Sequence, residues 1–300
     1  MADVGITDVG IVVGHTARHV MDSVRDGSAL GVKSTFIQQA EPLGLGHCVK
    51  ISQEFLGADD FVMFLGDNVF EFGLRTFIDE FEASSQSQRI SAQVAVKPVD
   101  NPSAFGVAVI DSGNRLLDVE EKPTRPKSNL ALVGTYLFTS DIHDAIDAIR
   151  PSKRGELEIT DAIQHLVSTH QIVGVHEVKG WWYDTGTPAD FLACNAAVLL
   201  QTGGSAPTLS NNVRLIPPCA IHESAKLADC TVGPYVSIGS NAKVSGVVVS
   251  NSVLMSDSSV SGTGVLTDSI VGQRSDVAIS GSNVSTLLVG DDSQVQTVTS

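Results

Sequence analysis

Cys219-Ala-Ile-His-Glu-Ser-Ala-Lys-Leu-Ala-Asp-Cys-Thr-Val-Gly-Pro-Tyr-Val-Ser-Ile-Gly-Ser-Asn-Ala-Lys-Val244 carries two interleaved tracks of residues. Large aliphatic residues stand six apart at Ile221 and Leu227, and again at Val232, Ile238 and Val244. The track starts at Leu215 and, after a break, resumes at Leu254, Val260 and Leu266, then Val271 and Val277. Two places before most of these is a smaller or β-branched residue: Cys219, Ala225, Cys230, Val236, Ala242, Ser252, Ser258, Ser269 and Ser275. One large and one small inward position per hexad suits a narrow triangular coil of three hexads, in which each unit buries its face only against its neighbours. The last third of the chain is therefore expected to be a left-handed parallel β-helix, with Cys219 and Cys230 as core residues rather than ligands. A Ser/Gly/Val-rich β-sandwich would not keep so many positions in phase.

Upstream, Gly203-Gly-Ser-Ala-Pro207 reads as a linker, which gives domains over 1–203 and 204–300. The first domain alternates apolar β-branched runs with helical stretches. Val9 to Gly14 and Ser34 to Gln38 read as strands, and Thr16 to Val24 and Gly46 to Leu56 as helices, the latter with Val49 and Phe55 inward. The apolar run Phe61 to Leu65 leads directly into Gly66-Asp67-Asn68. Strands over 90–96, 106–110, 115–119 and 132–138 follow, with helices from Asp141 to Ile149, beyond Thr160 as N-cap, and from Pro188 to about Gln201. This alternation predicts an α/β, Rossmann-like domain with a mostly parallel sheet, whose ligands bind beyond the carboxyl ends of the strands.

Composition sets the outer limits. With 42% hydrophobic and 18% charged residues among 300, the chain is an ordinary folded one. A formal charge of −15 with only 19 Lys and Arg excludes a duplex-DNA binder, since phosphate binding needs clustered cations. Cys48, Cys194, Cys219 and Cys230 show no zinc spacing, and four in a chain this long suggest reduced thiols and a cytoplasmic location. No apolar run is long enough for a bilayer and no signal peptide opens the chain, so neither membrane nor nucleic acid is an expected partner.

Six motifs, Gln39-Ala-Glu-Pro-Leu-Gly-Leu45, Leu65-Gly-Asp-Asn68, Glu121-Lys-Pro123, Val133-Gly-Thr-Tyr136, Gly155-Glu-Leu-Glu-Ile-Thr-Asp161 and Trp182-Tyr-Asp-Thr-Gly-Thr187, occur in one order. Together they resemble the sugar-1-phosphate nucleotidylyltransferases, most closely the long-type glucose-1-phosphate thymidylyltransferases that end in a β-helix. The resemblance implies transfer of a nucleotidyl group from a nucleoside triphosphate, expected to be dTTP, to a sugar 1-phosphate, expected to be glucose 1-phosphate, with release of pyrophosphate. It implies Lys122 and Arg154 as catalytic contacts to phosphate, Gln39, Gly44 and Asp67 as nucleotide-binding residues, and Gly106, Glu121, Lys122 and Val133 as the sugar site. It also implies Mg²⁺ held by Asp67 and Asp184, a hard cation suited to carboxylates and phosphates. A homo-oligomer assembled through the β-helix is expected. A UTP- or GTP-using relative, or a non-catalytic nucleotide-sugar-binding or scaffold subunit, are the alternatives. By themselves, His47 and His165 read as helix-surface or packing residues, Glu156 and Glu158 as strand-end polar residues, and at least one of Trp181 and Trp182 as a core aromatic.

The family opens with a strand and a glycine-rich loop of the form Gly-Gly-x-Gly-x-Arg-x-x-Pro-x-Thr. Met1-Ala-Asp-Val-Gly-Ile-Thr-Asp-Val9 instead matches the family inside the helix before its second strand. On this reading an opening unit of roughly 30 or more residues is missing, either through a misplaced start or in a deliberately shortened relative. Turnover by the chain as written is then expected to be impaired, and the neighbours of the missing strand to be left unpaired.

Overall fold

The computed structural model describes residues 1–71, 73–207, 212–281 and 284–297. They form two compact units, Met1–Trp182 and Tyr183–Ser300. The boundary precedes the linker expected at Gly203, because the helix ahead of that linker packs within the second unit.

In the first unit, β1 (Asp8–Val13) and α1 (Ala17–Val24) lead to β2 (Lys33–Gln38), which lies parallel to β1. The expected helix over 46–56 is two pieces, α2 (Leu45–Ile51) and α3 (Gln53–Leu56). They part at Ser52, whose hydroxyl donates back to the carbonyl of Cys48 at 2.7 Å, a local bond that competes with helix continuation. β3 (Phe61–Phe64), β4 (Asn68–Phe70) and α4 (Arg75–Ser87) follow. Next come β5 (Ala92–Pro98), β6 (Gly106–Ile110), β7 (Leu116–Glu121), β8 (Leu130–Phe138), α5 (Asp141–Ala148), α6 (Ile159–Ser168) and β9 (Val173–Glu177).

The main sheet runs β7-β6-β8-β5-β9, with β3 also on β8. It is mixed rather than mostly parallel: β8 is antiparallel to β3, β5 and β6, and only β5 and β9 run parallel. No helix of the α type separates β5, β6, β7 and β8, and without a crossover consecutive strands return antiparallel. The β6-β7 hairpin turns where the Asp111 carboxylate accepts the N–H groups of Gly113 and Arg115 at 2.8 and 2.9 Å. β1 and β2 form a separate two-stranded sheet.

Residues alternate sides along β8 with the strand period of two. Leu132, Tyr136 and Phe138 join Ile142 and Ile146 of α5 and Ile163 and Leu166 of α6, whereas Val133 and Leu137 join Phe77 and Phe81 of α4. The sheet is thus covered on both faces. Thr160 is not the cap of α6: Glu158 holds that position and Thr160 is buried in the first turn.

In the second unit, α7 (Pro188–Thr202) begins at Thr187, whose hydroxyl accepts the N–H of Asp190 at 3.2 Å as an N-cap should. The rest is a parallel β-helix whose coils pair in register, Cys219–Ile221 on Val236–Ile238, and these on Ser252–Leu254. Stacked partners are 16, 17 or 18 residues apart, so a coil is often shorter than three full hexads. Corner steps of five residues account for this, and for the break in the aliphatic track. Val249 fills the break, fully buried and stacked between Val232 and Leu266.

The inward tracks are as the hexads predict. Val232, Ile238, Val244, Leu254, Val260, Leu266, Val271 and Val277 are buried, as are Cys219 and Cys230 among them. The buried serines Ser252, Ser269 and Ser275 accept backbone N–H groups of the next coil, whereas Ser258 donates within its own. Ser252 Oγ donates to the carbonyl of Ser250 at 2.6 Å and accepts the N–H of Ser269 at 3.1 Å, while Ser275 Oγ donates to the carbonyl of Gly290 and accepts the N–H of Ser293. Among the described residues, no helix is long and apolar enough to cross a membrane.

Candidate active site

One edge of β8 is shared by two strands. β6 pairs with Leu130 and Ala131, β3 pairs with Thr135 to Phe138, and between them the Leu65 N–H donates to the carbonyl of Gly134 at 2.8 Å. The carboxyl end of β3 and the first residue of β6 therefore meet at Leu132–Gly134, a break of the kind where α/β sheets hold ligands. Asp67, Gly106 and Val133 are assembled here by topology.

Gly106 pairs with Glu121 of β7. A Cβ on Gly106 would lie 2.7 Å from the Thr160 methyl, so glycine is what lets α6 approach. Thr160 Oγ1 then donates to Glu121 Oε2 at 3.1 Å. Burial, above all, raises the Glu121 pKa, against the lowering effects of this bond and of Lys122 and Arg154. A half-buried carboxyl whose pKa is raised costs the fold free energy wherever it is charged. Stability is therefore lost as pH rises from its unfolded to its folded pKa. Glu121→Gln is expected to raise the melting temperature at pH 7, with the gain vanishing near pH 3, measured by scanning calorimetry at both pH values.

Arg154 is shared by three carboxylates. It forks onto Glu158 at 2.8 and 2.9 Å, and lies 3.3 Å from Glu156 and 3.5 Å from Glu121. Glu158 is buried and also accepts from Ser152 Oγ at 2.8 Å. Gly155, at φ +79°, lets the chain fold Arg154 back over Glu156 and Glu158, a clustering that reading the two glutamates as strand-end polar residues misses. Lys122 is exposed and adopts φ +42°, with its N–H held by the carbonyl of Phe105 at 3.0 Å.

The loop after β2 docks beside this cluster. Gly44 has φ +95°, and a Cβ there would meet the Leu157 carbonyl oxygen at 2.6 Å. Leu157 N–H donates to Leu43 and Gly46 N–H to Leu157, both at 2.8 Å. Gln39 Nε2 lies 3.0 Å from His47 Nδ1 and 3.4 Å from the Gly44 carbonyl. His47 is thus the partner of Gln39, beyond the surface or packing role expected of it.

Asp67 is exposed at the end of β3, and Asn68 Nδ2 donates to its Oδ1 at 2.8 Å. Asn68 is itself buried and accepts from Trp182 Nε1 at 2.6 Å, and Trp182 meets the Phe105 ring edge-on at 5.5 Å. Val133 is fully buried with Phe77 and Phe81, so its side chain serves packing and any ligand contact there comes from backbone. Asp184 falls in the second unit, where its Oδ1 accepts the N–H of Gly186 at 2.9 Å. Among the described residues, no group of three or more His, Cys, Asp or Glu is arranged to hold a metal.

The tightest point is Gly134, whose added Cβ would lie 2.5 Å from Asn68 Cγ and Oδ1. Gly134→Ala is expected to displace Asn68 from both Asp67 and Trp182. The cost is about 2–4 kcal/mol for two disrupted, largely buried hydrogen bonds, read from urea unfolding and quenched Trp182 fluorescence.

A profile of the nucleotidyl transferase family matches residues 1–201, and one of the GMPPB C-terminal domain matches residues 215–299. The glucose-1-phosphate thymidylyltransferase of Streptomyces antibioticus is 37% identical over 99% of this chain and 88% of its own length. The low-salt glycan biosynthesis nucleotidyltransferase of Haloferax volcanii is 36% identical over the same shares. A Bacillus anthracis protein assigned as a glucose-1-phosphate thymidylyltransferase and solved with sucrose superposes with a TM-score of 0.59 at 34% identity, covering 65% of this chain and 78% of that one. With motifs, strand-end geometry and near full-length similarity in agreement, the chain belongs to the nucleotidyl transferase family.

Proposed function

We propose that the chain transfers a thymidylyl group from dTTP to glucose 1-phosphate. The meeting of β3 and β6 at Leu132–Gly134 carries this reading, because it gathers Asp67, Gly106 and, through pairing, Glu121 at one strand-end break. A phosphate oxygen of the sugar 1-phosphate attacks the α-phosphorus. The bond from that phosphorus to the bridging oxygen breaks, and pyrophosphate leaves with the electron pair. Such transfer asks for in-line positioning and charge neutralisation more than covalent help.

Each residue has a task in that scheme. Gln39, with its amide nitrogen engaged by His47 and Gly44, offers its oxygen to an imide N–H such as thymine carries. Gly44 lets backbone approach the base. Glu121 and Glu156 accept sugar hydroxyls, and Lys122 and Arg154 offset phosphate charge, Arg154 exchanging part of its carboxylate shell as it does so. Asp67 and Asp184 fit Mg²⁺ by donor chemistry, each a hard oxygen ligand oriented by a neighbouring donor, Asn68 or Gly186. When bound, Mg²⁺ supplies neutralisation of phosphate charge.

The test is pyrophosphate release with dTTP, UTP and GTP against glucose 1-phosphate, alongside calorimetric binding of dTDP-glucose. The dTTP pair is expected to give the highest kcat/KM. A higher value with another triphosphate overturns the base assignment, and absence of both release and binding with every pair overturns the enzyme reading.

A further inference from the structure

The two ends of the Gln39 side-chain amide are chemical opposites, and the protein grips one of them. Its Nε2 lies 3.0 Å from His47 Nδ1 and 3.4 Å from the Gly44 carbonyl. A carbonyl only accepts, so the end facing Gly44 is the N–H₂ group, and the ring nitrogen beside it accepts as well. His47 therefore carries its proton on Nε2, which has no partner among the described residues. Cys48 agrees with this orientation. Burial raises its pKa and the bond from Gln39 lowers it, as an N–H donated to sulfur does. Gln39 Oε1, without a partner among the described residues, is the end left for a ligand. The ring itself is held in place by its helix. Gly46, one residue before it on α2, donates its N–H to the Leu157 carbonyl at 2.8 Å, and Val49 of the same helix is buried in the core.

We propose, resting on the thymidylyl reading in which Gln39 meets the base, that His47 is the positioning residue that sets base class: by accepting from Gln39 it turns the amide oxygen to the nucleotide, which admits imide bases and rejects amino-pyrimidines. Thymine and uracil present N3–H, a donor that pairs with Oε1. Cytosine presents a bare N3, which meets Oε1 lone pair to lone pair. Without His47, only the long contact to Gly44 and the weak bond to sulfur oppose rotation of the amide by half a turn. The turned amide offers an N–H to cytosine N3. Discrimination of this kind depends on leaving the wrong ligand unpaired, so it is lost once the amide is free to turn.

The test is calorimetric titration of the full chain with dTTP, UTP and dCTP in the presence of Mg²⁺. His47→Ala removes the acceptor and is expected to cut the preference for dTTP over dCTP by about tenfold or more, the worth of one well-placed hydrogen bond. His47→Asn, whose amide oxygen can stand near the Nδ1 position, is expected to stay within about threefold of the parental preference. Circular dichroism checks that both variants are folded. Nitrogen NMR of the His47 ring reads the same arrangement without nucleotide. In the parent, Nδ1 is expected bare and Nε2 protonated; in Gln39→Glu, whose carboxylate only accepts, a proton is expected on Nδ1. A His47→Ala protein that weakens dTTP and dCTP equally reduces the ring to packing and overturns the proposal. An Asn variant as indiscriminate as the Ala variant, or a protonated Nδ1 in the parent, overturns it too. A parent that prefers dCTP, or binds none of the three, overturns the thymidylyl reading and this inference with it, a failure told apart because it shows before any substitution.

Discussion

Gly262→Ala is expected to cost about 3–5 kcal/mol and to expose the β-helix to protease, the largest stability loss among the single substitutions considered. Gly262 has φ +130°, and a Cβ there would lie 1.7 Å from the Ile279 carbonyl oxygen of the next coil. That neighbour is backbone inside a paired stack, so it cannot rotate away as a side chain would. Either the Ser259–Gly262 strand leaves its partner or the coil spacing opens, and both separate buried pairs such as Val260 and Val277. Gly73→Ala is the control. It has open space around it and ordinary φ, and is expected to change stability by less than about 0.5 kcal/mol. Thermal unfolding and limited proteolysis compare the two.

Asp67→Asn is expected to lower Mg²⁺-dependent turnover by about a thousandfold, in line with the several kcal/mol a bound metal contributes, while leaving the unfolding midpoint within about 0.5 kcal/mol. Asp67 is exposed, so the isosteric amide disturbs little packing, and Asn68 remains anchored by Trp182. What is lost is the negative charge by which a carboxylate holds Mg²⁺ more tightly than a neutral amide oxygen does. The measurement is turnover against Mg²⁺ concentration beside chemical denaturation. Near-parental turnover would remove Asp67 from the metal site, and a large stability loss would make it a structural residue instead.

The β-helix was legible because every coil repeats the same two demands, so the phase survives individual exceptions. Val249 escaped because corner steps of five shift the period where the chain turns. The α/β unit was legible in its elements but not in its sheet direction. That direction depends on the run from β5 to β8 lacking a crossover helix, a property of connections rather than of any strand. In the site, Glu121 and Asp67 stood out by motif and Gly106 only as a position matched to the family, and the three meet at the break between β3 and β6. Glu158 did not stand out, since nothing local marks a glutamate as buried before its arginine is seen to fold over it. Val133 was a true member of its motif, yet the pleat turns its side chain into the core.

A stack of nearly identical coils invites errors of alignment. Valine over valine is as well packed one coil out of place as in place, so aliphatic burial alone leaves mispaired stacks close in energy. The buried hydroxyls remove that degeneracy. Ser252 and Ser269 each spend both donor and acceptor on definite backbone groups, the second reaching the N–H of Leu287 at 2.8 Å. Set against an alanine or valine of the wrong coil, the amides of Ser269 and Leu287 would lose these acceptors away from water, at ~1–3 kcal/mol apiece, while the hydroxyl protons stay on carbonyls of their own coil. The serine column thus works as a proofreading strip, admitting one alignment of the coils and penalising the others.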